Sequence, residues 1–359
     1  MIRSMLIALL ATSTSAAITS ASSAEINVST TQELRTALSK ASAGQTIRIA
    51  AGTYSGGMSV SDVKSLTIEG AEEKSPPEFK GSSGGWFISR CPGLTFRNIT
   101  VRGATANGIN IDDGGKGDSV TEGITVDGVQ VFEIGPRGNC DGIKCSGLDR
   151  LTIKNCRIEG WGGQGIDLVG CHNVEITNCK LVGRDGFSAS AGVQMKGGTA
   201  DIVVEKCHFV NAGERPLNAG GSTDADFFRP NDAKHEAARL IMRHNTIEGS
   251  LCAAAFVGVD GGEFSENTIL FPTKWVFRIL QENTSAGFAP CRDVKIQNNR
   301  IVFRRSQVQT EVNVGDNTEP ESFQFDGNTW FAEDRPASSK PRLPVAEKNG
   351  IYGNDPRKK

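Results

Sequence analysis

Residues 142–210 read GIKCSGLDRLTIKNCRIEGWGGQGIDLVGCHNVEITNCKLVGRDGFSASAGVQMKGGTADIVVEKCHFV. One grammar repeats through this stretch. A Gly-hydrophobic-polar triplet is followed by a small turn, then by an alternating strand that ends in Asn-Cys or a close variant, as in KNCRI, TNCKL and EKCHF. Alternation of apolar and polar residues over four to seven positions is the mark of a strand with one face buried. The unit recurs with a period in the twenties, and no helical pattern recurs inside it. Such a period, with short strands joined by tight turns, belongs to a solenoid. The fold expected is all-β: a single-stranded right-handed parallel β-helix.

Working outward, the same short runs extend on both sides. SLTIEG, WFIS, LTFRNITVRG and GITVDGVQVFEIG precede the quoted stretch; LIMRHNTIEG, WVFRIL, VKIQNNRIVF and FQFDGNTW follow it. An Asn closing a strand recurs at Asn155, Asn178, Asn245, Asn267, Asn298 and Asn328. Asn tolerates the left-handed backbone of a repeated turn, and is expected to stack with its counterparts. Before the ladder, the segment around Leu34, Ala37, Leu38 and Ala41 carries apolar residues at helical spacing, is started by polar residues and is stopped by Gly44. One helix is predicted there, capping the open end of the β-helix. Three parts are expected: residues 1–24, residues 25–330 as cap and β-helix, and residues 331–359 as a Pro-rich strap lying along it.

Composition agrees with many turns and few large side chains: 42 glycines, 6% aromatic residues, 22% charged residues and a formal net charge of −2. No basic stripe calls for nucleic acid. Residues 1–24 have a basic start, the short apolar core Leu6–Leu10 and small residues at the exit, the pattern of a secretory signal peptide. No stretch reaches the ~18 apolar residues of a membrane span. A secreted or periplasmic monomer is expected. Among the nine cysteines, Cys156, Cys179 and Cys207 take one position of successive repeats and read as a buried thiol column. Pairing of Cys140 with Cys145, or of Cys252 with Cys291, is left open.

The repeats align through Ile143, Ile166, Val193 and Leu217, which face inward. Lys144, Asp167, Gln194 and Asn218 then form an outward polar row on coils about 4.8 Å apart. Lys196 lies beside that row, and Arg215 opens the next coil. A long insertion follows, with Phe227-Phe228 either walling a cleft, Phe228 as a substrate contact, or simply anchoring the loop, and with Arg229 serving the site; Arg278 extends the basic patch. Any one exposed Lys or Arg is more often plain surface, and Lys144–Asp167 reads as well as a surface ion pair worth ~0–1 kcal/mol. The coincidence of these groups with an aromatic-bearing insertion raises the functional reading. No Cys-x-x-Cys or His-x-x-x-His pair suggests zinc. Asp112-Asp113 and Asp224/Asp226 are the acidic pairs that a turn-bound calcium would use, although solvated turn carboxylates are commoner.

The opening ELRTALSKASAGQTIRIAAGTY, at residues 33–54, resembles the capping start of secreted polysaccharide lyases of the alginate lyase and chondroitinase B group. The later coils resemble the wider pectate-lyase-like superfamily. The resemblance implies a lysine acting as base on one coil and an arginine assisting about one coil later, which Lys196 and Arg215 match in order and spacing. It implies β-elimination on an acidic, uronic-acid-containing polysaccharide. Arg215, Gln194 and Asn218 would bind the carboxylate, with Arg229 or Arg278 on a neighbouring sugar. It also implies acidic calcium ligands just before the lysine; here Val193, Gln194 and Met195 stand in that place, so a calcium site of that kind is not matched and the cofactor is left open. Two other readings remain: hydrolysis by Asp141 and Asp167 on adjacent coils, and a glycan-binding or adhesion solenoid without catalysis.

Overall fold

The structure, a computed structural model, describes residues 25–115 and 120–358; the segment read as a signal peptide lies outside them. Among the described residues the chain winds into three parallel sheets of 12, 10 and 12 strands, in which each strand pairs with its equivalent one turn earlier and one turn later. This is the right-handed parallel β-helix expected from the periodicity. Inward side chains stack in register: Ile143 on Ile166, Ile166 on Val193, and Val193 on Leu217. All four are fully buried. A column of like apolar side chains fills the bore, and stacking of this kind between neighbouring coils is the source of stability in a solenoid.

The helix Thr31–Ser39 closes the first end. Thr30 and Glu33 form a reciprocal capping box at its start, and Leu34, Ala37 and Leu38 are buried against the first coils. No helix among the described residues is long and apolar enough to cross a membrane.

One corner of the helix corrects the reading of the asparagines. They form two columns. Asn155, Asn178 and Asn298 share a left-handed corner, φ between 54° and 56°, with Lys206, His244 and Glu266. Asn245, Asn267 and Asn328 sit one residue later, with Asn299 in place of Asn298, and are buried. Along this second column Asn267 Oδ1 accepts from the Asn245 backbone N–H at 2.9 Å and from Asn245 Nδ2 at 3.0 Å, and the pattern repeats from Asn267 to Asn299 and from Asn299 to Asn328. The thiol column occupies the same position on earlier coils. Cys156, Cys179 and Cys207 are each 2% exposed, and the Cys207 N–H donates to Asn245 Oδ1 at 2.9 Å where thiols give way to amides. All nine cysteines are free thiols, so neither pairing left open by the sequence is present.

Residues 331–358 do not lie along the side as a strap. Ile351–Tyr352 pairs with Thr329–Trp330 as a last rung, and Leu343, Val345 and Tyr352 pack on the core. Glu347 accepts from Asn328 Nδ2 at 2.8 Å and from the Trp330 indole, which ends the amide ladder with a carboxylate. The tail covers the open bore because the final coil would otherwise leave those donors unmatched.

Candidate active site

The ten-stranded sheet carries the polar row. Asn110, Lys144, Asp167, Gln194, Asn218, Ala255, Arg278 and Asn313 stack one above another, each paired in register with the next. The row points away from the bore, as the alternation requires, yet much of it is covered. Asp167 is 0% exposed, Gln194 5% and Asn218 4%. Lys144 and Lys196 lie on Asp167, Gly221 lies against Gln194, and Asn218 is bonded to Gln194.

Lys144 Nζ lies 2.6 Å from Asp167 Oδ2 and 3.2 Å from Asp141 Oδ2, and Lys196 Nζ lies 3.4 Å from Asp167 Oδ1. The expected surface ion pair is thus a buried carboxylate shared by two lysines. Burial works against the charge on Lys144, but Asp167 and Asp141 outweigh it and its pKa is raised, which makes Lys144 a fixed cation. Burial, and after it the charge of Asp167, pushes the Asp141 carboxyl upward. Asp141 Oδ1 accepts the Gln164 N–H at 2.9 Å, so this carboxylate also pins the start of the next strand. Asp167, expected to touch substrate, instead holds the two lysines.

Gln194 and Asn218 are linked. Gln194 Nε2 donates to the Gly220 carbonyl at 2.5 Å, and Asn218 Nδ2 donates to Gln194 Oε1 at 2.7 Å. Calcium does not fit this strand as the resemblance would place it. Val193 and Met195 face the bore at 0% exposure, and the Gln194 amide is engaged. Among the described residues no cluster of three or more His, Cys, Asp or Glu is arranged to hold a metal.

The insertion is seated on glycine corners. A Cβ on Gly170 would lie 2.5 Å from Arg229 Cβ, and one on Gly198 would lie 2.6 Å from the Arg229 carbonyl, so the loop sits where only glycine leaves room. Its two aromatics have opposite fates. Phe228, expected as cleft wall, is 3% exposed and packs edge-on against Phe288 at 5.5 Å, whereas Phe227 is 58% exposed. Arg229 reaches Asp113 at 3.4 Å and donates to the Asp226 and Phe228 carbonyls and to Asn231, so it braces the loop. Glu236, which no sequence pattern singles out, is 0% exposed and ties the loop shut. Its carboxylate accepts the Thr223 N–H at 3.0 Å, the Thr223 hydroxyl at 2.8 Å and the Gly197 N–H at 3.1 Å, next to Lys196.

Lys196 and Arg215 are farther apart along the strands than their sequence spacing suggests. Arg215 pairs with Ala191, at the opposite end of the strand Ala191–Lys196. At ~3.3 Å per residue only their long side chains bring the charges toward each other. Both nevertheless line one cavity of about 260 Å3, floored by Gln194 and Asn218 and edged by Gln164 and Ser190. A neighbouring cavity of about 470 Å3 meets it at Lys196 and is lined by Lys144, Phe227, Arg229 and Asp113 among others. Arg215 has Glu282 at 3.8 Å as its acidic neighbour. Arg278 lies over the Trp275 ring at 4.5 Å and donates to Asn313 at 3.0 Å. Burial, then the charge of Arg215, lowers the Arg278 pKa.

A family model described as "Right handed beta helix region" matches residues 78–269 and 141–332. The chain belongs to the right-handed β-helix family. No curated protein matches the sequence. Among solved structures, this β-helix is similar to an alginate lyase from Paenibacillus sp. str. FPU-7, with TM-score 0.56 and 18% identity over 81% of this chain and 97% of that one. It is similar also to endo-xylogalacturonan hydrolase from Aspergillus tubingensis, with TM-score 0.59 and 13% identity over 90% and 96% of the two chains. A third likeness is to the PL6 family alginate lyase AlyGC, with TM-score 0.54 and 14% identity over 91% of this chain and 47% of that one. At these identities the likeness establishes the shared fold of the β-helix and nothing finer.

Proposed function

We propose that this β-helix is an exported enzyme that cleaves an acidic, uronic-acid-containing polysaccharide by β-elimination, acting as a monomer. The observation that carries the reading is that Lys196 and Arg215 close opposite ends of one polar cavity of about 260 Å3. Elimination requires a cation on the sugar carboxylate, a base at C5 and a proton for the departing O4. Arg215, with its planar fork of donors, suits the carboxylate and the enolate that develops from it. In its neutral form Lys196 Nζ takes the C5 proton, the C5–H electron pair becomes the C4–C5 double bond, and the C4–O4 bond breaks. The lysine, now an ammonium, supplies the proton that the leaving O4 needs. Asp167 is held at 2.6 Å by Lys144 and at 3.4 Å by Lys196, which leaves Lys196 the looser of the two for this work. Lys144, Phe227 and Arg229 would meet a neighbouring sugar in the adjoining cavity, with Phe227 taking the wall position expected of Phe228; Arg278 lines neither cavity and is assigned to supporting the Arg215 end.

Hydrolysis by Asp141 and Asp167 is disfavoured, because both carboxylates are 0% exposed and tied to Lys144. The test is incubation of the chain with alginate, pectate, glucuronan and glycosaminoglycans while ultraviolet absorbance of unsaturated uronate is followed. New absorbance supports elimination. Reducing ends without it mean hydrolysis, and binding without either means a glycan-binding solenoid.

A further inference from the structure

The polar row does not stop at Asn110. One coil nearer the helix cap it continues in Phe87, on the strand Trp86–Ser89, and one coil further in Ser59. A second outward row runs beside it, from Ser89 through Asp112, Ser146 and Val169 to Lys196. The strand that carries Phe87 is therefore four coils from Lys196, roughly 19 Å at the spacing of parallel strands. A cavity of about 510 Å3 lies over this end of the sheet, lined by Phe87, Ser59, Ser61, Asp112 and, from the capping helix, Arg35. Asp112 also lines the cavity of about 470 Å3 that reaches Lys196, so the three cavities follow one another along the outer face of one sheet. Among the described residues the exposed aromatic side chains are Phe87, at 42%, and Phe227, at 58%, and each lines one of these cavities. Phe87 takes no part in the bore, which its strand neighbours Trp86 and Ile88 fill. Its ring is nevertheless seated: a Cβ on Gly84 would lie 2.3 Å from Phe87 Cζ, so the ring rests where only glycine leaves room.

We infer that Phe87 is a stacking platform for a distant sugar of the polymer held at Lys196, with Arg35 meeting a carboxylate beside it. The inference rests on the polyuronate reading of the site and extends that site toward the helix cap. An extended pyranose chain advances per sugar by a length similar to the coil spacing, so it keeps step with the sheet and reaches Phe87 about four sugars from Lys196. The C–H face of a pyranose is apolar, and its hydrogens suit the negative face of a phenylalanine ring. Arg35 Nη2 lies 3.5 Å from the Gly56 carbonyl, which brings a cation to the wall of this cavity. Asp112, where two cavities meet, is not a bare carboxylate. It accepts the Ser89 hydroxyl at 2.6 Å, Asn110 Nδ2 at 2.7 Å and the Gly114 N–H at 2.9 Å, and Arg90 donates to the same Ser89 oxygen at 3.2 Å.

The test measures binding by calorimetry, using the Lys196→Ala chain so that no oligomer is consumed. Trimers and octamers of oligogalacturonate and of oligoalginate are compared. A trimer seated at residue 196 falls short of Phe87, whereas an octamer reaches it, so the octamer-to-trimer affinity ratio is the readout. Adding Phe87→Ala should lower that ratio by at least about fivefold, the size of one aromatic stacking contact. Phe87→Leu, apolar but without a ring, should lower it similarly, and Phe87→Tyr should keep it. Phe87 faces outward, so the three variants are expected to melt with their parent. A ratio that Phe87→Ala does not lower, one that Phe87→Leu preserves, one that Phe87→Tyr also loses, or no binding of any oligomer would each overturn the inference. A ratio that depends on the Phe87 ring, in a protein whose wild type never eliminates, would sink the lyase reading and leave this one standing. Elimination by the wild type with a ratio indifferent to Phe87 would do the reverse.

Discussion

Lys196 Nζ and Asp167 Oδ1 lie 3.4 Å apart beneath the insertion, and that oxygen has no hydrogen-bond donor of its own. With Lys144 on its other oxygen, Asp167 lies between two lysine side chains. Asp167→Ala leaves Lys196 without its carboxylate neighbour and Lys144 with Asp141 alone over a buried floor. The expected cost is roughly 3–5 kcal/mol, the range for breaking a buried pair from one side. A urea denaturation series on the variant checks it, and a loss below about 1 kcal/mol would return the pair to the surface class.

Lys196→Ala should remove elimination by at least a hundredfold, about what a positioned base contributes, and leave the far-ultraviolet spectrum unchanged. Lys196 is partly exposed and ends its strand, so little packing is lost. Unsaturated-uronate absorbance on a polymer that the wild type degrades is the readout. An active variant would take the base assignment away from this residue.

Phe227 and Phe228 should separate cleanly. Phe228→Ala empties the contact with Phe288 and should cost roughly 3 kcal/mol, as buried Phe truncations do. Phe227→Ala should leave the melting temperature almost unchanged and raise KM for the polymer. The reverse pattern would mean that the loop turns its other face to the coils.

The columns at the amide corner predict unequal losses. Asn267→Ala removes one acceptor and two donors from the middle of the ladder, taking away the partner of the Asn245 backbone N–H and the side-chain donor to the Met242 carbonyl, while Asn245 Nδ2 keeps the Val204 carbonyl. Each buried orphan costs about 1–3 kcal/mol. Cys179→Ala removes a thiol that packs mostly as a small apolar group, and should cost about 1 kcal/mol. Thermal melts of the two variants decide whether Asn267 is the larger.

Glu236 gives a pH signature. Burial raises its pKa, so the charged form costs the folded state stability above the unfolded pKa of ordinary Glu, and that cost is relieved as pH falls through the raised folded value. Protonation therefore does not weaken the fold as a whole. It does place a hydrogen on an oxygen that accepts from Thr223 or Gly197. Hydrogen exchange at the Thr223 and Gly197 amides, corrected for intrinsic rates, should accelerate in mildly acid buffer while the melting temperature holds. Unchanged protection there would show that the clasp does not depend on the charge.

Much of this was legible in the chain. The Gly-hydrophobic-polar triplets placed Lys144, Asp167, Gln194 and Asn218 in one row because strand alternation is local, and a parallel coil repeats its register with the sequence. The Asn series mixes two positions: Asn155, Asn178 and Asn298 belong to the left-handed corner, and Asn245, Asn267 and Asn328 to the buried ladder one residue later. Only the coil register tells that Asn299 belongs to the ladder and Asn298 to the corner. Phe227 and Phe228 were indistinguishable because the partner that buries one of them, Phe288, is 60 positions away in sequence. Glu236 carried no signal, since its three donors come from backbone and a threonine that only the folded loop brings near.

By itself, then, the sequence determined the solenoid, its inward column and the identity of the outward row, all of which follow from period and alternation. Tertiary structure decided which members of that row are charged pairs, which are covered, and which oxygens remain without donors. Those properties depend on distances between side chains on different coils and on the loop that folds over them, and no local pattern encodes them. Lys196 and Arg215 show the difference. Their spacing named them as partners, while the register set them at opposite ends of a strand and left a cavity between.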